Sequence, residues 1–319
     1  MTGGGNVDVA FVHEPVGDYA GSPDDSQYKT PGRNGEISTQ EFDNDETRQR
    51  NWGNETEETV EGTFEGAFAL SFDLVDPWFL NHVFGAPPTA GGESSSPYSY
   101  TWEFVNGEMQ SSRWYLGADL INGFAERQLE GVVFSEMEVE ISIGDPVSVS
   151  LTGFYGSETS NTSFTPGSQP KVDGTPLIFH GGSIQIPNST DIARPQSGTL
   201  SISNGARPQR EWARKPAAAV TGNINPTLNL ESIVMDTDLL ELGLGSADGP
   251  ATTVDGAADG ELAFESPGAN ALRFPMEGIT HSTYSWNNIG NAEEDLTDGN
   301  DLTIDRLTAV AETSATEAK

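Results

Sequence analysis

The 319-residue sequence contains no cysteine. Disulfides, thiolate metal sites and cysteine nucleophiles are therefore excluded, and cysteine usage says nothing of the redox compartment. The sequence also lacks any run of about 18 apolar residues, the length that a membrane-spanning helix requires. Its start, Met1-Thr-Gly-Gly-Gly, has neither the charged residues nor the apolar stretch of a signal peptide. We therefore expect a soluble protein that is made inside the cell and has no membrane partner.

Basic residues are scarce, with 15 Lys and Arg against 49 Asp and Glu and a formal net charge of −34. The basic footprint of a duplex-DNA binder is missing. At low ionic strength so much negative charge pushes a compact chain apart, whereas in molar salt the screening length falls to about 3 Å. This balance predicts a halophilic protein. Six Trp and 15 Phe predict folded cores rather than a disordered chain.

Catalytic groupings are also scarce. The four histidines lie far apart without an H-E-x-x-H spacing, and His82 falls in a predicted helix where we expect a structural role. The sequence has no G-x-S-x-G elbow and no phosphate-binding P-loop. The glycine-rich stretch at 243–249 has one residue too many for a dinucleotide fingerprint. The sequence therefore predicts no enzyme activity and no cofactor.

Acidic residues are so frequent that carboxylate pairs of the glycosidase kind are expected without function. Asp295, Asp298 and Asp301 have the composition of a calcium loop but lack its spacing and its final glutamate. They are weak candidates for a metal site, and a solvated turn is the favoured interpretation.

An internal repeat dominates the rest of the sequence. With a constant shift of 160 residues, Gln49-Arg-Asn-Trp aligns with Gln209-Arg-Glu-Trp, and several apolar, Asn and Gly positions also match. The shift later falls to 147, where Leu129-Glu-Gly-Val aligns with Met276-Glu-Gly-Ile. The thirteen extra residues of the first copy predict an added hairpin around Arg113 and the turn Ile121-Asn-Gly-Phe.

Both copies have the alternation of antiparallel strands, interrupted by one short helix. Asp76 is predicted to cap the first helix and Gly85 to end it, and Asp236 and Gly245 take the same places in the second. We predict an all-β, mainly antiparallel fold with short flanking helices, built from two sandwich or barrel units. The predicted parts are a first β domain at 1–156, a Ser/Gly/Pro-rich linker at 157–175, a second β domain at 176–311 and a disordered tail at 312–319.

Two sets of side chains stand out as surfaces. Arg50 and Trp52, repeated as Arg210 and Trp212, predict either a contact with a neighbouring subunit or a cation–π pair, or a core tryptophan covered by its arginine. Glu136, Glu138 and Glu140 alternate with apolar residues, so one face of their strand must be wet. The residues alone favour a solvated exterior over the lining of a channel.

The stretch from Leu129 to Gly156, in which one alternating strand leads through Gly144-Asp-Pro-Val into another, resembles tail tube proteins. These are the major tail subunits of long-tailed phages and tailed haloarchaeal viruses. The second copy has a similar order of strands in Phe179-His-Gly-Gly-Ser-Ile, Gly198-Thr-Leu-Ser-Ile and Val220-Thr-Gly. The resemblance covers most of residues 35–310 and rests on glycine and strand patterns.

The resemblance implies a structural virion protein of the tail, made in the host cytoplasm, whose units contribute to a ring-shaped inner β-barrel. Rings would stack into a tube that carries viral DNA without binding it specifically during ejection, and two units per chain would make each ring a pseudo-sixfold trimer. Glu136, Glu138 and Glu140 then become candidates for an acidic lumen wall. Tape measure, tail terminator and baseplate proteins are the further partners implied. The alternatives are a distal tail or baseplate hub ring protein and, from another class, a halophilic carbohydrate-binding or hydrolytic β-sandwich.

Overall fold

The computed structural model describes residues 7–23, 28–50, 57–120, 123–160, 175–187, 190–192, 194–246, 248–251, 258–265 and 270–313. Antiparallel strands make up most of these residues, with two short helices, so the predicted all-β class is confirmed. The strands of the first half are β1 (Val7–His13), β2 (Gly32–Arg50), β3 (Glu57–Leu74), β4 (Thr89–Ala90), β5 (Tyr98–Trp102), β6 (Ser112–Leu120), β7 (Gly123–Ser142), β8 (Ser148–Tyr155) and β9 (Ser157–Ser160). Those of the second half are β10 (Gly182–Gln185), β11 (Pro195–Ser203), β12 (Arg207–Gln209), β13 (Ala218–Val220), β14 (Asn225–Ile233), β15 (Ala258–Glu265), β16 (Ala271–Asn287), β17 (Thr297–Thr303), β18 (Arg306–Leu307) and β19 (Ala309–Thr313).

Eight strands form one continuous antiparallel layer, which we call the inner sheet. Their order is β2-β3-β8-β7-β11-β14-β17-β16. Buried and exposed residues alternate along these strands because one face lies on the core and the other lies on solvent. The two halves of the chain meet in this layer where β7 pairs with β11.

Two outer sheets cover the core side of the inner sheet. Strands β7 and β16 run through both layers, and each has a register irregularity where it passes from one layer to the other, at Phe134/Glu136 and at His281/Thr283. The first outer sheet is β1-β6-β7-β9. The second is β10-β15-β16-β19-β5-β4, with β18 also on β16. The C-terminal strand β19 thus joins the second half to β5 of the first.

The space between the layers is filled by one large apolar cluster that includes residues of both halves. Each fully buried Phe or Leu in it stabilises the fold by about 1.5–3 kcal/mol. Helices α1 (Asn81–Phe84), which follows the single turn Trp78–Leu80, and α2 (Asp238–Leu244) pack beside β7 and β16 respectively.

The helix ends partly confirm the predictions. Gly85 and Gly245 end α1 and α2 with φ of 91° and 75°, a left-handed conformation that glycine adopts at least cost. The N-cap of α2 is Thr237 and not the predicted Asp236, although Asp236 accepts a hydrogen bond of 3.2 Å from the backbone N–H of Asp238. The prediction for Asp76 is wrong, because the turn follows Pro77 without a side-chain cap.

The pairing scheme is the same in the two halves. The β2–β3 pairs Thr39–Ala69 and Phe42–Gly66 recur as the β11–β14 pairs Thr199–Asn229 and Ile202–Pro226, all shifted by 160 residues. The irregularity in β7 recurs in β16 at a shift of 147. The pairings β1–β6, β3–β8, β6–β7 and β7–β8 recur as β10–β15, β14–β17, β15–β16 and β16–β17.

Three sequence predictions differ from the structure. Strand β6 corresponds to β15, since the pair Leu116–Arg127 matches Leu262–Phe274, so the extra strands of the first half are β4 and β5 and not the hairpin around Arg113. The expected linker at 157–175 begins as strand β9, which pairs with β7; residues 161–174 lie outside the described residues. The expected tail at 312–319 begins inside β19, which extends to Thr313 because β5 pairs with it; residues 314–319 lie outside the described residues.

Candidate assembly and conduit surfaces

The three predicted glutamates lie on the solvent face of the inner sheet. Glu136, Glu138 and Glu140 are exposed, and the alternate residues of β7, Met137, Val139 and Ile141, are buried. Because side chains alternate across a strand, the three carboxylates share one face.

The same face is polar from β7 to both edges of the inner sheet, and in the direction of β2 the row that contains Glu140 ends at the exposed Arg33. From Glu140, the register leads through Thr199, Asn229 and Asp301 to Thr283 at the far edge. Strands β3, β8, β11, β14 and β17, and β7 from Glu136 onward, contain no lysine or arginine. The central six strands of the inner sheet therefore present carboxylates, hydroxyls and amides to solvent, and no side-chain ammonium or guanidinium group.

The inner sheet has two open edges. Within the described residues, the outer side of β2 and the outer side of β16 from Thr283 to Asn287 have no strand partner. Large apolar side chains lie at these edges: Phe42 is 51% exposed, Trp286 43% and Ile289 71%. Open edges with apolar side chains favour pairing with another strand.

Where the two halves meet, the equivalent edges are closed. Strand β7 pairs with β11 from Glu136–Ser203 to Ser142–Ser197. Asn204, fully buried, seals the end of this joint: its Nδ2 donates to Val83 O at 2.7 Å and to Phe134 O at 2.8 Å. A buried amide with all partners satisfied fixes one register, because any slip would leave it unpaired.

The structure describes the second of the two predicted Arg/Trp pairs fully and the first only in part. Trp212 is fully exposed in the loop between β12 and β13, so the interpretation as a core residue is wrong for it. Arg210 donates to Phe64 O at 2.7 Å and forms an ion pair with Glu65 at 3.3 Å, which ties this loop to β3. Trp52 lies outside the described residues, and the backbone of Arg50 ends β2 opposite Glu57.

The three candidate metal ligands do not converge. Asp298 is buried and accepts from Ser232 Oγ at 2.6 Å, whereas Asp301 is exposed on the other face of β17 and accepts from Asn229. Asp295 lies in the loop before β17. Across the described residues, no group of three or more His, Asp or Glu side chains is arranged to hold a metal ion.

A buried polar cluster lies under α1. Of this cluster, the sequence predicted only a structural role for His82. His13 Nδ1 and His82 Nε2 are 2.8 Å apart, and His82 Nδ1 lies 3.2 Å from Gln110 O. Burial lowers the pKa of His82 to about 4 and lowers the pKa of His13 well below its usual value. Beside them, burial raises the pKa of Glu14, although Ser111 donates to its carboxylate at 2.6 Å and Arg113 pairs with it.

This cluster joins β1, α1 and β6, whose residues are about 30 to 100 positions apart. No motif or periodicity connects such residues, so the sequence carried no signal for it. Its histidines are neutral near pH 7 and its contacts are internal, which indicates a structural role.

An antiparallel β protein with an acidic sheet face and two open sheet edges has the features of a subunit that assembles with others. Residues 16–287 match the sequence model of the family described as phage tail tube protein. This match covers most of the chain, so the chain belongs to that family and the resemblance seen in the sequence is confirmed. A search of the curated proteins finds no match.

Membership makes the protein a structural component of a phage tail and of the virion, and it implies self-assembly into a tube and a role without catalysis. None of the helices in the described parts of the chain is long and apolar enough to cross a membrane.

Proposed function

We infer that the protein forms trimeric pseudo-sixfold rings, which stack into a tube whose acidic lumen conducts viral DNA. The observation that carries this proposal is the inner sheet: eight strands in one layer, with two open edges and a solvent face without cationic side chains on its six central strands. A sheet with two complementary open edges is completed when copies of the chain close into a ring.

The pseudo-sixfold arrangement is supported by the pairing scheme. Five strand pairings of the first half recur in the second between strands in the same chain order, as expected of a duplicated unit. Each chain then supplies two units of four inner strands, and three chains close a barrel of six units. The predicted boundary of these units, between 157 and 175, remains part of this proposal.

The acidic lumen is supported by the exposed side chains of the inner sheet. Binding of phosphates to Lys and Arg releases counterions and holds DNA. A wall with Glu136, Glu138 and Glu140 repels phosphates, so that DNA slides through without a stable contact.

The charge of −34 also supports a halophilic host. Stacked rings bring many such charges together, and their repulsion falls when molar salt shortens the screening length to about 3 Å.

Trp212, exposed at a loop tip, is proposed as a contact between subunits. Tape measure, terminator and baseplate proteins are proposed to bind at the two ends of the tube.

Negative-stain electron microscopy of the purified full chain in molar salt tests the assembly. We expect stacked rings with three subunits each; monomers at every protein concentration would contradict the proposal. Tubes of many rings, rather than single rings, separate a tube subunit from a hub protein.

The lumen is tested with a triple variant, Glu136→Lys, Glu138→Lys and Glu140→Lys. Assembled tubes of this variant are expected to retain duplex DNA, with retention falling steeply as salt rises. The matched control makes the same change of charge at Glu93, Glu103 and Glu108, which are exposed in the loops that follow β4 and β5. Equal DNA retention by both triple variants would show that the three glutamates do not line the lumen.

A further inference from the structure

The joint between β7 and β11 inside the chain is a template for the joint between chains. By the shifts of 160 and 147, β2 occupies the position of β11, and β16 occupies the position of β7. In the chain, β7 and β11 are paired, whereas the corresponding sides of β16 and β2 have no strand partner among the described residues. We propose that β16 of one subunit pairs antiparallel with β2 of the next copy, in the register that places Ser285 opposite Glu41. This pairing rests on the proposed tube function and adds the edges and the register to it.

The register of the proposed pairing follows from that of β7 and β11 when 147 is added to the residue numbers of β7 and 160 is subtracted from those of β11. Inside the chain, Glu138 lies opposite Ser201. The position of Glu138 in β7 is that of Ser285 in β16, and the position of Ser201 in β11 is that of Glu41 in β2. The same transfer places Tyr284 opposite Phe42 and Trp286 opposite Gln40. The shift of 147 applies in this part of β16 because the register irregularity of β7 at Phe134/Glu136 recurs in β16 at His281/Thr283.

The side chains at the open edges fit this register. The core-facing pairs of the template, Met137–Ile202 and Val139–Leu200, are fully buried. At the open edges the equivalent positions hold Tyr284, Trp286 and Phe42, of which Phe42 is 51% exposed and Trp286 43%. Pairing would bury these aromatic rings where the template buries aliphatic side chains, and the area removed from water would favour the joint. The fourth position, that of Leu200, holds the half-buried Gln40.

A cleft beside β2 offers the space for these rings. It has a volume of about 650 Å³ and is lined by Phe42, Ala67, Phe154 and Tyr155 with residues of the loop after β12. The lining runs from β2 through β3 to β8, so the cleft reaches from the exposed ring of Phe42 at the open edge into the inner sheet.

An asparagine of β2 lies at the position equivalent to Asn204, which closes the end of the joint between β7 and β11. Asn204, which donates to Val83 O and Phe134 O inside the chain, corresponds to Asn44. Asn44 is half-buried in β2, and its Oδ1 accepts from Arg214 Nη2 at 2.5 Å within the chain. In the proposed joint its amide would face the carbonyls of Gly243 and His281 of the next subunit, which are the equivalents of Val83 and Phe134. A polar contact of this kind selects one register over its neighbours.

Engineered disulfides test the register, and the absence of native cysteine makes the result clean. The variant with Glu41→Cys and Ser285→Cys places thiols on the solvent face, directly opposite each other. Such pairs have Cβ atoms about 4.5–5.5 Å apart, close to the range that a disulfide spans, whereas diagonal neighbours lie about 7–8 Å apart. We expect mild oxidation of assembled rings to give covalent multimers on a non-reducing gel.

Two matched variants serve as controls. Glu41→Cys with Asn287→Cys tests the diagonal neighbour on the same face and is expected to give at most a small fraction of the multimers. Glu138→Cys with Ser201→Cys tests the template itself and is expected to give a disulfide within one chain.

The outcomes separate the two proposals. Rings that form without a cross-link between positions 41 and 285, or that cross-link better between 41 and 287, would overturn the register and leave the tube function standing. A native chain that forms neither rings nor tubes would overturn the tube function and the proposed joint together.

Discussion

The first half of the chain buries Trp114 at a position where the second half has Gly260. The two residues are equivalent because Trp114 pairs with Leu129 and Gly260 with Met276, in the same register of β6–β7 and β15–β16. Trp114 stacks on Phe11 at 4.9 Å and is fully buried. A Cβ on Gly260 would lie 2.5 Å from Gln185 O and 2.8 Å from a methyl group of Ile279. Aliphatic side chains and backbone thus fill the space that an indole fills in the first half.

This contrast runs through the whole core. Of the twelve largest fully buried side chains, only Phe264 and Phe274 belong to the second half. The second half instead relies on leucines and on β19, which pairs with β5 of the first half. What the two halves share is therefore the backbone pairing, whereas the filling of the core differs. Backbone register can persist while side chains change together, because a core is defined by volume and polarity more than by identity.

The largest expected effect is the loss of the aromatic core. Trp114→Ala removes a buried indole and should lower the free energy of unfolding by about 3–5 kcal/mol, since it leaves a cavity that the outer sheet cannot fill. Denaturant unfolding of the full chain in molar salt measures this effect. Gly260→Ala, at the equivalent position of the second half, should lower the free energy of unfolding by about 1–3 kcal/mol, because the added methyl group overpacks the core. A larger loss of unfolding free energy in Gly260→Ala than in Trp114→Ala would contradict the view that the aromatic core of the first half contributes more to stability.

The next effect is a pH dependence that centres on the buried His82 of the first half. His82 lies in α1, where the second half has Leu242. Burial lowers the pKa of His82 to about 4, whereas an unfolded histidine titrates near 6.5. Between these values the unfolded chain binds more protons than the folded one, so stability falls as the pH falls from 6.5 towards 4, by about 3 kcal/mol for this group. Burial also lowers the pKa of His13 and of His281 in the second half, which adds to this loss, whereas it raises the pKa of Glu14 and Asp76, which opposes it.

Thermal unfolding between pH 7.5 and 4.5 checks the titration. His82→Leu, which copies the second half, should flatten the fall of Tm with pH, whereas His180→Gln, at an exposed position, should leave it unchanged. An unchanged slope in His82→Leu would mean that the buried histidine is not the titrating group.

A third effect distinguishes the closed joint from the open edges. Asn204→Ala leaves buried carbonyls unpaired and should lower the stability of the monomer by about 1–3 kcal/mol. Asn44→Ala, at the equivalent position of β2, removes only an exposed hydrogen bond from Arg214 and should lower the stability of the monomer by about 0.5 kcal/mol. It should raise the protein concentration needed for assembly about tenfold, which corresponds to 1.4 kcal/mol per joint. Sedimentation in molar salt measures assembly, and equal losses of monomer stability in both variants would contradict the comparison.

The comparison also shows what the sequence can reveal. The repeat, the alternation of β7 and the two helix ends at Gly85 and Gly245 were predictable, because each is local or periodic. The extra strands were assigned to the wrong place because β6 and β15 share few side chains, as Trp114 and Gly260 illustrate. The polar cluster around His82 and the pairing of β7 with β11 were not predictable, since both depend on contacts between distant segments.

The smallest expected effect on the fold, and one that tests the loops, concerns Trp212. This side chain is fully exposed, so Trp212→Ala should change the free energy of unfolding by no more than about 0.5 kcal/mol. If the exposed indole is a contact between subunits, the same variant should weaken assembly, because buried tryptophans contribute strongly to interfaces. Arg210→Ala offers the contrast: it removes the bond to Phe64 O and should loosen the loop itself. Light scattering of the variants in molar salt provides the measurement. Assembly of Trp212→Ala at the native concentration would show that the repeated Arg/Trp motif serves the loop and not the tube.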